Sequence, residues 1–234
     1  MFSRSCITKN IYFIHSSQSS TNCACDSEQV TYVISGLAKF IKLDKGYFFM
    51  IITFMEIIDI IIMTFAIGFI FSDFMGKMLY SVGIRITSFY KLILYSSFIT
   101  APGIVLHEMG HKFVALILGI PAVFHASYIW LGIGIILKFL SFPFIFFVPG
   151  YVEHGTTTPL AGSFVAFAGP FMNLLMWIVP KLFLKNRRIA RNKKWHVTLT
   201  LTSRINIFLF IFNMLPIPPF DGFHVFYGLF KTLF

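Results

Sequence analysis

Two histidines and a glutamate within five positions, His107-Glu108-x-x-His111, are the residues with the clearest chemical potential. In an α-helix, residues four positions apart lie one turn apart on the same face, so both imidazoles can reach one metal ion. Imidazole nitrogens bind Zn²⁺, and a glutamate beside the first ligand can hold the metal-bound water and take its proton. We therefore predict that His107 and His111 bind zinc and that Glu108 is the general base for attack on a carbonyl.

The surroundings of this motif favour a metal site over a chance occurrence of a permissive pattern. The motif lies deep in the apolar stretch 92–119. Ionisable side chains at membrane depth are costly unless something compensates them, and a bound metal with its water would do so. Pro102 and Gly103, just upstream, are expected to loosen the helix and to give water or an unwound substrate a way in.

Two histidines leave a catalytic zinc site incomplete, because such sites usually have three protein ligands and a water. The acids that could supply the third ligand are Glu56, Asp59, Glu153 and Asp221. We favour Asp221, which follows the proline-rich stretch 213–220, because irregular backbone at membrane depth is tolerated where it lines a cavity or is buried in protein. Glu56 and Asp59, three residues apart on one helical face, are expected to make a structural contact between helices.

The composition indicates a membrane protein. Of the 234 residues, 57% are hydrophobic and 12% are charged, against about 45–50% apolar and about 25% charged residues in soluble domains. The apolar residues form long runs, each near or above the roughly 20 residues that cross a bilayer: 46–72, 92–120, 129–149, 160–184 and 197–215. We predict an all-α integral membrane protein, a bundle of four to six transmembrane helices with a short extended or re-entrant segment between the second and third, and a loop or surface helix over 73–91.

The run 129–149 has two interpretations, because glycines and prolines interrupt it. If it spans, the basic stretches 73–91 and 185–194 fall on opposite faces of the membrane; if it dips in and returns, they share one face. Short loops rich in Lys and Arg stay on the cytoplasmic side, so the charges favour the re-entrant version. The net charge of +10 resides in such loops, and we therefore expect no nucleic-acid partner.

Residues 1–45 differ from the rest. They form a polar N-terminal tail in which only 30–43 has the spacing of a short interfacial helix. We see no cleavable signal peptide in the first residues. Three cysteines in this tail are neither a disulfide framework nor a four-ligand zinc site. The transmembrane domain that carries the metal motif is predicted to cover 46–234.

Three motifs follow one another in the chain: His107-Glu-Met-Gly-His111, Gly169-Pro-Phe-Met-Asn173 and Asn213-x-x-Pro-x-x-x-x-Asp221-Gly. As a set they resemble the site-2 protease family of intramembrane zinc metalloproteases, over residues 92 to about 228. The resemblance implies Zn²⁺ as the cofactor, with His107, His111 and Asp221 as its ligands and Glu108 as the general base. It also implies that Asn173 and Asn213 position the substrate or polarise its scissile carbonyl. There is no room for an inserted PDZ domain, so the chain resembles a minimal form.

The resemblance implies a zinc-dependent metalloendopeptidase that cleaves a membrane-spanning protein substrate within or near its membrane segment. We expect a multi-pass protein of the lipid bilayer, in the plasma membrane. Two alternatives stay open: a membrane metalloprotease of the type that trims prenylated proteins, which would use a glutamate as third ligand, and a non-catalytic zinc-binding protein or scaffold. His224, close to Asp221, is expected to support the site or to pack beside it.

Overall fold

The computed structural model describes residues 52–141 and 148–234. The predicted N-terminal tail, 1–45, and the first residues of the predicted first span lie outside this part of the chain. The helices and strands are, in chain order, α1 (Phe54–Ser81), α2 (Phe89–Ile117), β1 (Ala122–Ala126), α3 (Tyr128–Phe139), β2 (Gly150–His154), α4 (Pro159–Leu184), α5 (Arg187–Arg191), α6 (Lys193–Asn213) and α7 (Asp221–Leu233).

Four of these helices, α1, α2, α4 and α6, are long and apolar enough to cross a membrane. They pack as a bundle in which α4 contacts α2, α6 and α7, and α1 packs along α2. A single short two-stranded sheet accompanies them within the described residues. The predicted class, an all-α membrane protein with a short extended segment between the second and third spans, is confirmed.

The first helix is longer at its C-terminal end than the sequence suggested. Thr53 caps its N-terminus, accepting from the Glu56 N–H while the Glu56 carboxylate accepts from the Thr53 N–H. The helix continues into the stretch 73–91, predicted as a loop or surface helix, and ends at Ser81. Gly83 follows with a φ of 72°, in the left-handed region. The Ile84 N–H then donates to the Leu79 carbonyl at 2.9 Å, which closes a Schellman motif. The apolar pattern of 73–81 was too mixed to show that the helix goes on.

The two ends of the segment between the second and third spans lie side by side. β1 and β2 pair antiparallel, from Ala122 with His154 to Ala126 with Gly150, and the Ser127 N–H donates to the Pro149 carbonyl at 3.0 Å. The chain therefore leaves and returns at the same place. α3, with 12 residues, is about 18 Å long and too short to cross about 30 Å of hydrocarbon.

As a result, the two basic stretches lie at one end of the bundle. The ammonium of Lys193, at the start of α6, lies 3.2 Å from the position a Cβ would have at Gly83, in the connection between α1 and α2. The hydroxyls of Tyr95 and Thr198, near the same ends of α2 and α6, are 2.6 Å apart. This is the arrangement that the charge pattern favoured.

A buried ion pair fastens α1 to α2 and to the hairpin. Lys112 donates to Glu56, and both residues are almost completely buried, at 2% and 1% exposure. The Phe124 N–H of β1 donates to the same carboxylate oxygen at 2.7 Å. Glu56, Lys112 and the Phe124 N–H are called the anchor cluster below. Asp59 lies beside it and accepts from the Ala126 N–H at 3.2 Å, so Glu56 and Asp59 both make structural contacts.

Candidate metal centre

His107, His111 and Asp221 converge on one point. The two Nε2 atoms are 3.1 Å apart. The Asp221 carboxylate lies 3.0 Å from His107 Nε2 through Oδ2 and 3.5 Å from His111 Nε2 through Oδ1. The imidazoles come from adjacent turns of α2, as the spacing predicted, whereas Asp221 approaches from more than a hundred residues further along the chain.

Asp221 reaches this point because the backbone after α6 folds back sharply. α6 ends at Asn213, and α7 begins at Asp221 itself. A Cβ at Gly222 would lie 2.4 Å from the Met214 carbonyl oxygen, so the first turn of α7 can pass against this backbone only with glycine there. Burial acts to raise the pKa of Asp221, but hydrogen bonds with His107 and His111 lower it, and the net shift is downward. The group is therefore a carboxylate, the form that binds cations.

The three residues fit a zinc ion. One donor atom from each of them lies within 4.8 Å of the others. Zinc bonds of about 2.0–2.1 Å in a tetrahedron place ligand atoms roughly 3.3 Å apart, close to the observed separations of 3.0 to 3.5 Å. Two imidazoles and a carboxylate are a donor set that zinc accepts, with room left for a water.

Groups on helix α4 contact the Nδ1 atoms of both imidazoles and orient the rings. His111 Nδ1 lies 2.7 Å from the Val165 carbonyl oxygen, an acceptor that places the ring proton on Nδ1 and leaves Nε2 free for a metal. His107 Nδ1 lies 2.9 Å from the side-chain nitrogen of Asn173, which is fully buried. A Cβ at Gly169 would lie 2.3 Å from His111 Nε2 and 2.7 Å from His107 Nε2. The backbone of α4 therefore passes directly against the ligands, and a side chain at Gly169 would displace them.

A cavity of about 1010 Å³ opens onto these ligands. Glu108, which is 8% exposed, lines it together with His107 and His111. Asn213, at the end of α6, lines it as well. Its remaining walls are largely apolar and come from α1, α4, α6, α7 and strand β2.

The other candidates for the third ligand lie away from this centre. Glu56 belongs to the anchor cluster, and Asp59 is bonded to the hairpin. Glu153 is exposed on β2, 3.9 Å from His125. His224 lines the cavity and packs edge-to-face on Phe223, with ring centroids 5.5 Å apart.

Sequence reasoning missed the groups that hold the ligands in place. The Val165 carbonyl belongs to the backbone and has no signature in the sequence. Gly169 belongs to the second of the three motifs, but no role was predicted for it. Its Gly-Pro pair was the signal that could have suggested close backbone approach.

Gly103 and Pro102 have a different effect from the one expected. α2 is a continuous helix across them, and a Cβ at Gly103 would lie 2.5 Å from Asn206 Oδ1, so this glycine permits close packing of α6 on α2.

The fold and this cluster indicate a multi-pass membrane protein with two histidines and one carboxylate that could hold a metal ion. The model of peptidase family M50 matches residues 181–234. The "Putative zinc metalloprotease MJ0611" of Methanocaldococcus jannaschii is 35% identical over 170 residues, which cover 71% of this chain and 81% of that protein. No solved structure matches the chain.

The chain belongs to peptidase family M50, the site-2 protease family. It is therefore a membrane metalloprotease, and zinc is the metal that this membership implies. The family assignment made from the three motifs is confirmed.

Proposed function

We propose that this protein is an intramembrane zinc endopeptidase, which hydrolyses a peptide bond within or near the membrane-spanning segment of a substrate protein in the plasma membrane. The observation that carries the proposal is the convergence of His107, His111 and Asp221 beside Glu108, in a cavity walled by helices of membrane length. His107 is ten residues before the end of α2, which is about 15 Å along the helix. The reaction would therefore take place below the membrane surface.

Each polar residue of the centre has a proposed task. His107, His111 and Asp221 would hold the zinc, and a zinc ion in such a site lowers the pKa of water to about 7 and polarises a carbonyl. Glu108 takes the proton of the attacking water and returns it to the leaving amine. Asn213 lines the same cavity as these residues and is proposed to position the scissile carbonyl. Asn173 contacts His107 and is proposed to act through that ring.

The hairpin gives the substrate backbone a place to bind. β1 pairs with one edge of β2, and residues Gly150, Tyr151 and Val152 of β2 line the cavity. The other edge of β2 has no strand beside it among the described residues. An extended peptide can add to such an edge through backbone hydrogen bonds. We infer that the substrate unwinds locally and lies along β2, which exposes one peptide bond to the metal centre.

The type of metalloprotease that trims prenylated proteins would need a glutamate as third ligand. The glutamates that were candidates for this role lie in the anchor cluster and on the exposed face of β2, and family M50 membership speaks against that alternative. A non-catalytic scaffold is disfavoured because the predicted base and all three predicted ligands face one cavity.

The substitution Glu108→Gln tests the proposed mechanism. The amide cannot accept the proton of the attacking water, and a lost general base costs roughly 10²–10⁴-fold in rate. We expect the purified variant to bind one zinc per chain, as the wild type does, and to cleave a membrane-spanning test substrate at least 100-fold more slowly. Cleavage at the wild-type rate would refute the role of Glu108, and a chelator-resistant wild-type activity would refute the zinc mechanism.

A further inference from the structure

An arginine lies in the middle of the membrane-spanning helix α6. Arg204 is the twelfth residue of α6, which has 21 residues, so it is about 14 to 16 Å from either end of the helix. Its side chain is exposed and lines the same cavity as the metal centre. A charge at this depth is costly, and intramembrane ionisable residues usually mark a functional site with a partner of opposite charge.

The described parts of the chain provide no such partner. Residues 52–141 and 148–234 contain no hydrogen bond or ion pair to Arg204. The acids that line the cavity, Glu108 and Asp221, belong to the metal centre. Near Arg204 the cavity is lined by Leu201, Ile205 and Phe208 of its own helix. Arg204 therefore lines a cavity whose walls are largely apolar.

The position of Arg204 on α6 relates it to the site of cleavage. The residues of α6 that line the cavity repeat with helical spacing: Leu201, Arg204, Ile205, Phe208, Leu209, Phe212 and Asn213. Arg204 and Asn213 lie at opposite edges of this cavity-lining surface, nine residues and about 13 Å apart along the helix axis. Because α6 runs from the basic end towards the metal centre, Arg204 lies on the basic-end side of the reaction. That distance corresponds to about four residues of extended chain or about nine of helix.

We propose that Arg204 is a specificity-determining residue that binds a carboxylate in the membrane segment of the substrate, four to nine residues from the scissile bond. The guanidinium offers a planar fork of donors that matches a carboxylate, and such charge-assisted pairs are stronger in a medium of low dielectric. A lipid phosphate is a poorer candidate, because headgroups lie at the helix ends and Arg204 lies near the middle. The inference rests on the proposed function, since it assumes a membrane-spanning substrate in this cavity.

The test uses membrane-spanning peptides that differ at one position. A glutamate is placed at each position from four to nine residues on either side of the cut, and each peptide is paired with one that carries glutamine there. Binding is measured with the full-length Glu108→Gln protein in bilayers, and kcat/KM with Glu108 intact. At the best position we expect the glutamate peptide to bind about tenfold more tightly than its glutamine twin, the effect of a hydrogen bond to a charged group.

Substitutions at Arg204 assign the preference to this side chain. Arg204→Gln should remove the preference and leave the glutamine peptide bound as before, Arg204→Lys should keep part of it, and Arg204→Glu should favour a peptide with lysine at the same position. Arg188→Gln is the matched control, because it removes the same charge from an exposed residue of the basic loop that does not line the cavity. It should keep the full preference.

Two results would overturn the inference: a wild-type protein without any preference between the paired peptides, and a preference that persists in Arg204→Gln. A change at Arg204 that alters only the dependence on anionic lipid would also overturn it. Failure of the proposed function has a different signature, namely binding of the peptides without cleavage of any of them by the wild type. The inference on Arg204 would then be decided by the binding measurements alone.

Discussion

His111 and Lys112 are neighbours in the chain, but they belong to two different buried polar groups of α2. Lys112 enters the anchor cluster, where its ammonium meets the Glu56 carboxylate and the Phe124 N–H donates to the same oxygen. His111 enters the metal centre, where two imidazole nitrogens and a carboxylate face one another at 3.0 to 3.5 Å. The first group has a cation for its anion. The second brings together two imidazole nitrogens and a carboxylate, and all of these atoms act as electron-pair donors once the imidazoles are neutral.

The difference shows how a buried polar group can be assigned to structure or to chemistry. In the anchor cluster, charges and hydrogen bonds are satisfied from three elements, and the residues are closed off from the cavity. A complete cluster of this kind holds elements together. In the metal centre the donors converge on a common point and open onto the cavity, so a bound cation and then a substrate can complete them. Three substitutions test this contrast.

Asp221→Ala should have the largest effect. It removes one of three ligands, and the remaining two histidines hold zinc only weakly, because catalytic sites need three protein ligands. We expect stoichiometric zinc to be lost on dialysis and cleavage to fall to background, as measured by metal analysis and by a cleavage assay on the same sample. Glu153→Ala is the control, since that acid is exposed and lies outside the centre. Zinc retained by Asp221→Ala at one per chain would contradict the assignment.

Lys112→Met should affect stability instead of chemistry. Removing one partner of a buried ion pair leaves an uncompensated charge and costs about 3–5 kcal/mol. We expect the midpoint of thermal unfolding in detergent to fall, while the folded variant still binds one zinc. The double variant Glu56→Gln with Lys112→Met should recover part of the loss, because the amide oxygen can still accept from the Phe124 N–H. A variant that unfolds like the wild type but has lost its zinc would show that the anchor cluster belongs to the metal centre.

The convergence of His107, His111 and Asp221 could be predicted from the sequence better than the groups around them, for a physical reason. His107 and His111 are placed by helical periodicity alone, and the prolines before Asp221 gave a local reason for irregular backbone there. Asn173 was predicted as a residue that acts on the substrate, and its distance to His107 could not be known from the sequence. A contact between α2 and α4 depends on how two helices pack, which no short motif encodes.

The helices and strands also divide into those that the sequence predicts well and those that depend on contacts it does not encode. Long apolar runs predicted α2, α4 and α6 to within a few residues, because crossing a bilayer demands both length and apolar composition. The sequence left two interpretations of the run 129–149 open, spanning or re-entrant, because glycine and proline weaken a membrane span without excluding it. Pairing of Ala122–Ala126 with Gly150–His154 favours the interpretation in which the chain returns to where it left. Lys112 received no role from the sequence, because its partner Glu56 lies on another helix.

Asn173→Ala should give the smallest of the three effects. It distinguishes a role in holding His107 from a role in binding the substrate. With its Nδ2 as donor to His107 Nδ1, the ring proton would be on Nε2. When Nε2 binds a metal the proton moves to Nδ1, and a half-turn of the amide brings Oδ1, which has no hydrogen-bond partner, into place as the acceptor. Loss of such an outer partner weakens zinc binding about 10–100-fold. We expect this loss for Asn173→Ala in a competition titration against a chelator.

Asn173→Asp should restore the zinc affinity, because a carboxylate accepts from Nδ1–H at least as well as an amide does. Asn206→Ala is the matched control: Asn206 is also fully buried with an unpaired Oδ1, but it packs against Gly103 of α2 and lies away from the ligands. Its loss should lower stability and leave the affinity for zinc unchanged. If Asn173→Ala instead bound zinc normally and raised only the KM for substrate, Asn173 would act on the substrate, as the motif first suggested, and α4 would hold the metal centre through the Val165 carbonyl and Gly169 alone.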